Sequence, residues 1–106
     1  MEKENYTVDF KNVKDSYDMH RIFKESMDFP YYYGHNLDAL WDCLTDLLCY
    51  DITIRILHFD DLQKADVLLS EKVYETLCEL KHCDDDDCYD TVHIFIDRNG
   101  VTEEIR

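Results

Sequence analysis

Two glycines and one proline are all that punctuate 106 residues. No apolar run approaches the roughly 20 residues needed to span a bilayer. With glycine this scarce there is no glycine-rich loop to cradle a phosphate, and no domain linker or repeat is visible. Cations are scarce as well. Eleven Lys and Arg stand against 25 Asp and Glu, a formal charge of −14, and none of the eleven lies between Lys24 and Arg55. That balance argues against nucleic acid or an anionic membrane as partner, and for something basic. The opening residues M-E-K-E-N-Y hold no apolar stretch of the signal-peptide kind, so the cytoplasm is the expected compartment.

Metal and redox chemistry are also poorly represented. Five cysteines, Cys43, Cys49, Cys78, Cys83 and Cys88, are an odd number, and without export they are expected to stay reduced. Cys43 reads as a small, buried helix side chain. His82, Cys83, Cys88 and His93 match no ordinary zinc spacing. The run Asp84 to Asp87 lacks the alternating ligands and mid-loop glycine of a calcium loop and reads as a hydrated turn. No metal or cofactor is expected. A catalytic site drawn from His35, Asp38 and Asp42 would have no nucleophile, and its acids would project outward from a helix instead of lining a pocket.

What is present is a foldable chain. With 45% hydrophobic and 13% aromatic residues it can bury one core, so residues 1–106 are expected to form a single domain. Tyr6, Val8 and Phe10 alternate as a strand, as do Ile52, Ile54 and Ile56, and Val92 to Ile96 makes a third. Asp15 or Ser16 caps a helix carrying Met19, Ile22, Phe23 and Met27 on one face, which ends before Pro30. A short helix is expected near Asp60. A longer one, capped by Ser70, turns Val73, Leu77 and Leu80 inward. Strands joined by helical crossovers pair in parallel. The expected fold is α/β, a small three-stranded parallel sheet covered by about four helices in the order β-α-α-β-α-α-β. Asn99-Gly100 is a turn signal that can fold Val101 to Ile105 back as a short extension strand.

The densest signal is F-P-Y-Y-Y-G-H-N-L-D-A-L-W-D-C-L-T, Phe29 to Thr45. Asn36 is a good helix cap, and Leu37, Leu40, Leu44, Leu47 and Leu48 recur at helical spacing. Asp38, Asp42, Thr45 and Cys49 share another face, with Trp41 at its margin. Asp38, Asp42 and Asp46 form a like-charge i,i+4 ladder that no nearby cation offsets. Acids on a helix are often no more than a solvated face, with the tryptophan in the core. Here Tyr31, Tyr32 and Tyr33 precede them, and aromatics beside unpaired acids are the composition of a protein-recognition surface.

Pro30 to Thr45 resembles the central motif of the barstar family, intracellular inhibitors of secreted barnase-type ribonucleases. The likeness is continuous over these sixteen positions; elsewhere it is one of element order. It implies a barstar-like fold and a 1:1 complex of a monomeric inhibitor with a basic ribonuclease. The motif helix and the preceding loop would lie across the active-site cleft. Asp42 matches the aspartate that occupies the phosphate subsite, and Asp38 an acid that pairs with basic residues at the cleft's edge. Tyr32 matches the tyrosine that stacks over the active site. Asn36, Trp41 and Thr45 match helix positions touching the enzyme, and Glu79 aligns with a rim acid on the last helix. The chain departs from the pattern at Asp46 and Leu47, where the family motif has glycine and tryptophan, and at Cys49, where it has an acid. A rewritten rim implies a different cognate nuclease, or a penalty from Asp46 against barnase itself. A barstar-fold protein that binds another basic toxin or regulator, without inhibiting a nuclease, is the alternative reading.

Overall fold

Period-two burial builds the sheet. The computed structural model describes residues 3–49, 51–82 and 92–105, with side chains at 3, 48 and 49 outside that description. In it β1 (Lys3–Asp9), β2 (Asp51–Leu57) and β3 (Val92–Arg98) run parallel. Val8, Ile52, Ile54, Ile56, Val92, Ile94 and Ile96 are buried on one face, while Asn5, Thr7 and Arg55 on the other are exposed. The spatial order follows the chain order. Right-handed crossovers between successive parallel strands then place every intervening helix over the same face, the buried one.

The sheet has a fourth strand beyond the three parallel ones expected, and it is the extension signalled by Asn99-Gly100. β4 (Val101–Ile105) pairs antiparallel with β3, Arg98 opposite Val101 and Ile94 opposite Ile105. Both turn residues have positive φ, 53° and 78°, the conformation that matches a two-residue hairpin to the twist of its strands. Asp60 accepts a hydrogen bond from the Asn99 N–H at 3.2 Å. The Arg98 guanidinium lies 5.7 Å from the Phe59 and Tyr74 ring centres and pairs with Glu103 at 3.0 Å. The hairpin is thereby fastened to the helices.

Those helices follow their caps. Asp15, not Ser16, caps α1 (Ser16–Met27), its carboxylate accepting from the Asp18 N–H at 2.9 Å. Asp28, in the left-handed region, closes it ahead of Pro30. Met19, Phe23 and Met27 are buried, and so is His20. α2 (Leu37–Thr45) is the motif helix; a 3₁₀ turn over Asp46–Cys49 follows it. α3 (Phe59–Ala65) starts one residue before Asp60. α4 (Val67–His82) starts three residues before Ser70, a correction to the expected cap. Asp66 provides the cap instead, accepting from the Leu69 N–H at 3.1 Å. Ser70 is buried in the first turn and satisfies its hydroxyl on the Val67 carbonyl at 2.7 Å. No helix among the described residues is long and apolar enough to cross a membrane. Cys83, Cys88 and the run Asp84 to Asp87 lie outside the described residues, as do the side chains of Leu48 and Cys49.

One buried side chain measures what β4 contributes. Ile105 is 4% exposed and Val101 65%. Ile105→Ala is expected to lower unfolding free energy by about 2–4 kcal/mol, through lost burial and the cavity left behind. Val101→Ala should stay within about 0.5 kcal/mol. Equal effects in urea titrations would mean that β4 lies on the sheet without joining the core.

Candidate functional site

The site begins with the loop that delivers α2. The Tyr33 N–H donates to the Pro30 carbonyl at 3.0 Å, and Tyr33 turns inward, 5% exposed, against Phe29. Its hydroxyl lies 2.6 Å from His20 Nδ1 in α1. Burial raises the Tyr33 pKa far above the usual phenol range and pushes His20 down to about 4. Both groups are therefore neutral, and because the described residues offer the buried Tyr33 hydroxyl no other acceptor, we assign the phenol as donor and Nδ1 of the imidazole as acceptor. This corrects the reading of three tyrosines on one recognition surface. Tyr33 is the buried root, while Tyr31 and Tyr32 stand out, 89% and 74% exposed, with rings packed edge to face at 5.5 Å.

The next residues set the helix start. His35 takes a left-handed conformation, φ 52°, with Nδ1 3.0 Å from the Tyr33 carbonyl, and its ring stacks on Tyr17 at 5.0 Å. Since a carbonyl only accepts, that nitrogen carries the proton. Asn36 caps α2, accepting from the Ala39 N–H at 2.7 Å. Leu40 and Leu44 are buried, which turns Asp38 and Asp42 outward and leaves Trp41 half-buried between. The helix ends sooner than the leucine spacing implies. The Thr45 hydroxyl and the Asp46 N–H both close on the Asp42 carbonyl, and Asp46 opens the 3₁₀ turn. The ladder within α2 is thus Asp38 and Asp42, with Asp46 exposed at its end.

α4 supplies the other wall. Leu37, Asp38, Trp41 and Asp42 from α2 face Thr76 and Glu79 from α4 across a shallow groove of about 350 Å³. Four of the expected site residues, Asp38, Trp41, Asp42 and Glu79, are brought together here. Tyr32, Thr45 and Asp46 do not line the groove, and Asn36 is occupied as the cap. None of the three groove carboxylates has a hydrogen bond or ion pair among the described residues. His35 lines a different cavity, so the His35-Asp38-Asp42 catalytic arrangement does not assemble. Cys43 is only half-buried; burial, then Asp46 and Asp42, push its thiol pKa up, so it is not an activated nucleophile. No metal-ligating cluster exists among the described residues.

The sequence reading missed His20. Its signal was available, because His20, Phe23 and Met27 share one face of α1 at i, i+3 and i+7.

The two-layer α/β scaffold thus presents acids without an internal ion pair among the described residues around a shallow groove, with two exposed tyrosines on the loop that precedes α2. Residues 4–95 match the family model described as barstar (barnase inhibitor), and the chain belongs to the barstar family. It is also 44% identical over 52 residues to a Bacillus subtilis (strain 168) protein named "Putative ribonuclease inhibitor YrdF". That match covers 49% of this chain and 54% of the relative, about half of each. β4 lies beyond the family match.

Two measurements test this geometry. Unfolded, His20 takes up a proton near the usual 6.5; folded, only near 4. Stability should be full above pH 6.5, fall as pH drops through the interval to 4, and change no further with this group below it. Between pH 7 and pH 5 the loss should be about 2 kcal/mol by urea titration, and His20→Gln should abolish most of it. A flat wild-type profile would show that His20 is not held neutral. Asp38 and Asp42 repel at i,i+4 with no partner among the described residues, so Asp42→Asn should leave the melting temperature unchanged or slightly raised. A marked drop would mean that the fold holds the carboxylate after all.

Proposed function

We propose that this chain inhibits a basic ribonuclease of the barnase type, laying the acidic face of α2 and the Tyr31-Tyr32 loop across its active site in a 1:1 complex. The observation that carries this is the groove, where Asp38, Asp42 and Glu79 surround Trp41 with no cation of the chain itself paired to them among the described residues. A ribonuclease binds a polyanion, so its cleft presents the arginines and lysines that such a surface lacks. Asp42 stands in for a substrate phosphate and can accept bidentate arginine contacts. Trp41 offers a face for a guanidinium, and Tyr32 gives rigid area with a polar tip. Family membership and the name carried by the B. subtilis relative support this reading. The chain itself performs no reaction in this scheme. It blocks one, in the cytoplasm, where a stray ribonuclease does harm.

The test is an inhibition assay with barnase and with basic ribonucleases of the producing organism. Asp42→Ala should weaken binding by several kcal/mol, roughly, with Asp38→Ala and Tyr32→Ala smaller but clear. Glu104→Ala, an exposed acid on β4, should barely matter. Association at low salt should exceed the unsteered range of about 10⁵–10⁶ per molar per second and slow steeply with salt, dissociation much less. Equal small effects at all four acids and aromatics, or salt-independent association, would reduce the contact to net-charge attraction.

A further inference from the structure

Beside the acidic groove lies a second cavity, of about 340 Å³, between the start of α1, the His35 loop and the start of α4. Leu37 lines both. Along α4 the two are successive turns of one stripe, Leu68 and Lys72 facing the second cavity, Thr76 and Glu79 the first. The chemistry changes along that stripe. Where the groove is anionic, the cavity holds one cation, Lys72, and one anion, Asp66, over leucine walls.

Two histidines give it polarity. His20 is 2% exposed and accepts the Tyr33 hydroxyl at Nδ1, so its proton sits on Nε2. No described residue accepts from that N–H, yet it is not sealed off from solvent, and the ring lines the cavity. His35 has the reverse arrangement, its Nδ1–H spent on the Tyr33 carbonyl and its Nε2 left as an acceptor. A deep donor and an acceptor, on rings 6.1 Å apart above leucines, match a group that accepts and donates through one atom and carries an apolar body. Leu68 and Tyr17 at the margin, 67% and 66% exposed, extend the apolar surface that such a body would cover.

We propose that this cavity is a second docking subsite, taking one tyrosine side chain of the protein partner beside the acidic groove. The phenol oxygen accepts from His20 Nε2–H and donates to His35 Nε2, and the ring rests on Leu37, Leu68 and Leu69. An aromatic anchor of this kind, desolvated in a pocket, is where interfaces concentrate their energy. That the partner is a ribonuclease rests on the reading above; the tyrosine subsite does not.

The experiment uses the intact protein without a nuclease. Phenol, N-acetyltyrosinamide and toluene are titrated while the imidazole ¹⁵N and ¹H resonances of His20 and His35 are followed. Phenol and N-acetyltyrosinamide should give saturable shifts at both histidines, with toluene at least about tenfold weaker in affinity. Leu68→Arg and Leu68→Trp, at an exposed position where either folds, should each weaken the phenol response at least about fivefold. Shifts that fail to saturate, that are the same with toluene, or that ignore both Leu68 variants would overturn the subsite. Phenol binding without N-acetyltyrosinamide binding would overturn the protein partner in favour of a small phenol. Loss of ribonuclease inhibition is measured separately, so either idea can fail while the other stands.

Discussion

The hydrogen bond between Tyr33 and His20 is the constraint on which the site's geometry rests. α1 ends at Asp28, and nothing regular holds the chain again until Asn36 caps α2. Across that gap one buried contact of 2.6 Å fixes Tyr33 against α1. With Tyr33 inside, its neighbours Tyr31 and Tyr32 are left outside, and its carbonyl is placed to receive the His35 ring. That bond helps His35 keep a positive φ, and the turn it makes brings Asn36 into the extended conformation a cap requires. Leaving either buried partner unsatisfied costs about 1–3 kcal/mol, a large fraction of what a domain this small has to spare.

The charges are segregated with the same economy. Arg21 is held by Asp18 and Glu25 on α1, Arg98 by Glu103, and Lys81 donates to the Val92 carbonyl at 2.6 Å. The arginine ion pairs, on the surface, add little stability. Their consequence is positional, because these cations are engaged elsewhere and no cation pairs with Asp38 or Asp42 among the described residues. The repulsion between Asp38 and Asp42 costs a few tenths of a kcal/mol, roughly, and the sheet and its leucines absorb it easily. In the proposed complex, a surface maintained at a small, steady loss in the free protein gains when the basic partner arrives.

Local signals were legible in the sequence, and non-local ones were not. The alternation of Ile52, Ile54 and Ile56, the Asn36 cap and the Asn99-Gly100 turn each depend on neighbours within four residues, and each stands as expected. The α4 cap was misread because Asp66 and Ser70 both carry capping side chains, and only the packing of Ser70 beneath the first turn decides between them. Three consecutive tyrosines have no period, so nothing local marks Tyr33 as the one that turns in; its partner is 13 residues away. The meeting of Glu79 with Asp38 and Asp42 depends on how α4 packs against α2. No spacing shows that, and Glu79 entered only through the resemblance to the barstar family.

The extension beyond the family match bears on the site through α4. β4 covers the edge of β3, a row of backbone groups open to pairing with other chains. It also brings Glu103 against Arg98 and toward the Tyr74 hydroxyl, at 3.0 and 3.4 Å, and Arg98 in turn lies over the Tyr74 and Phe59 rings. Tyr74 belongs to α4, one helix turn from Leu77 in the core and on the side away from the groove. The helix that carries Lys72, Thr76 and Glu79 to the two cavities is therefore clamped from behind by the hairpin. In the proposed complex, a wall that keeps two cavities in register gains from such a brace. The groove acids themselves make no internal hydrogen bonds among the described residues, so their positions follow from the helices alone. In the proposed complex, rigid helices are what let these unsupported carboxylates stay pre-organised for another molecule's cations.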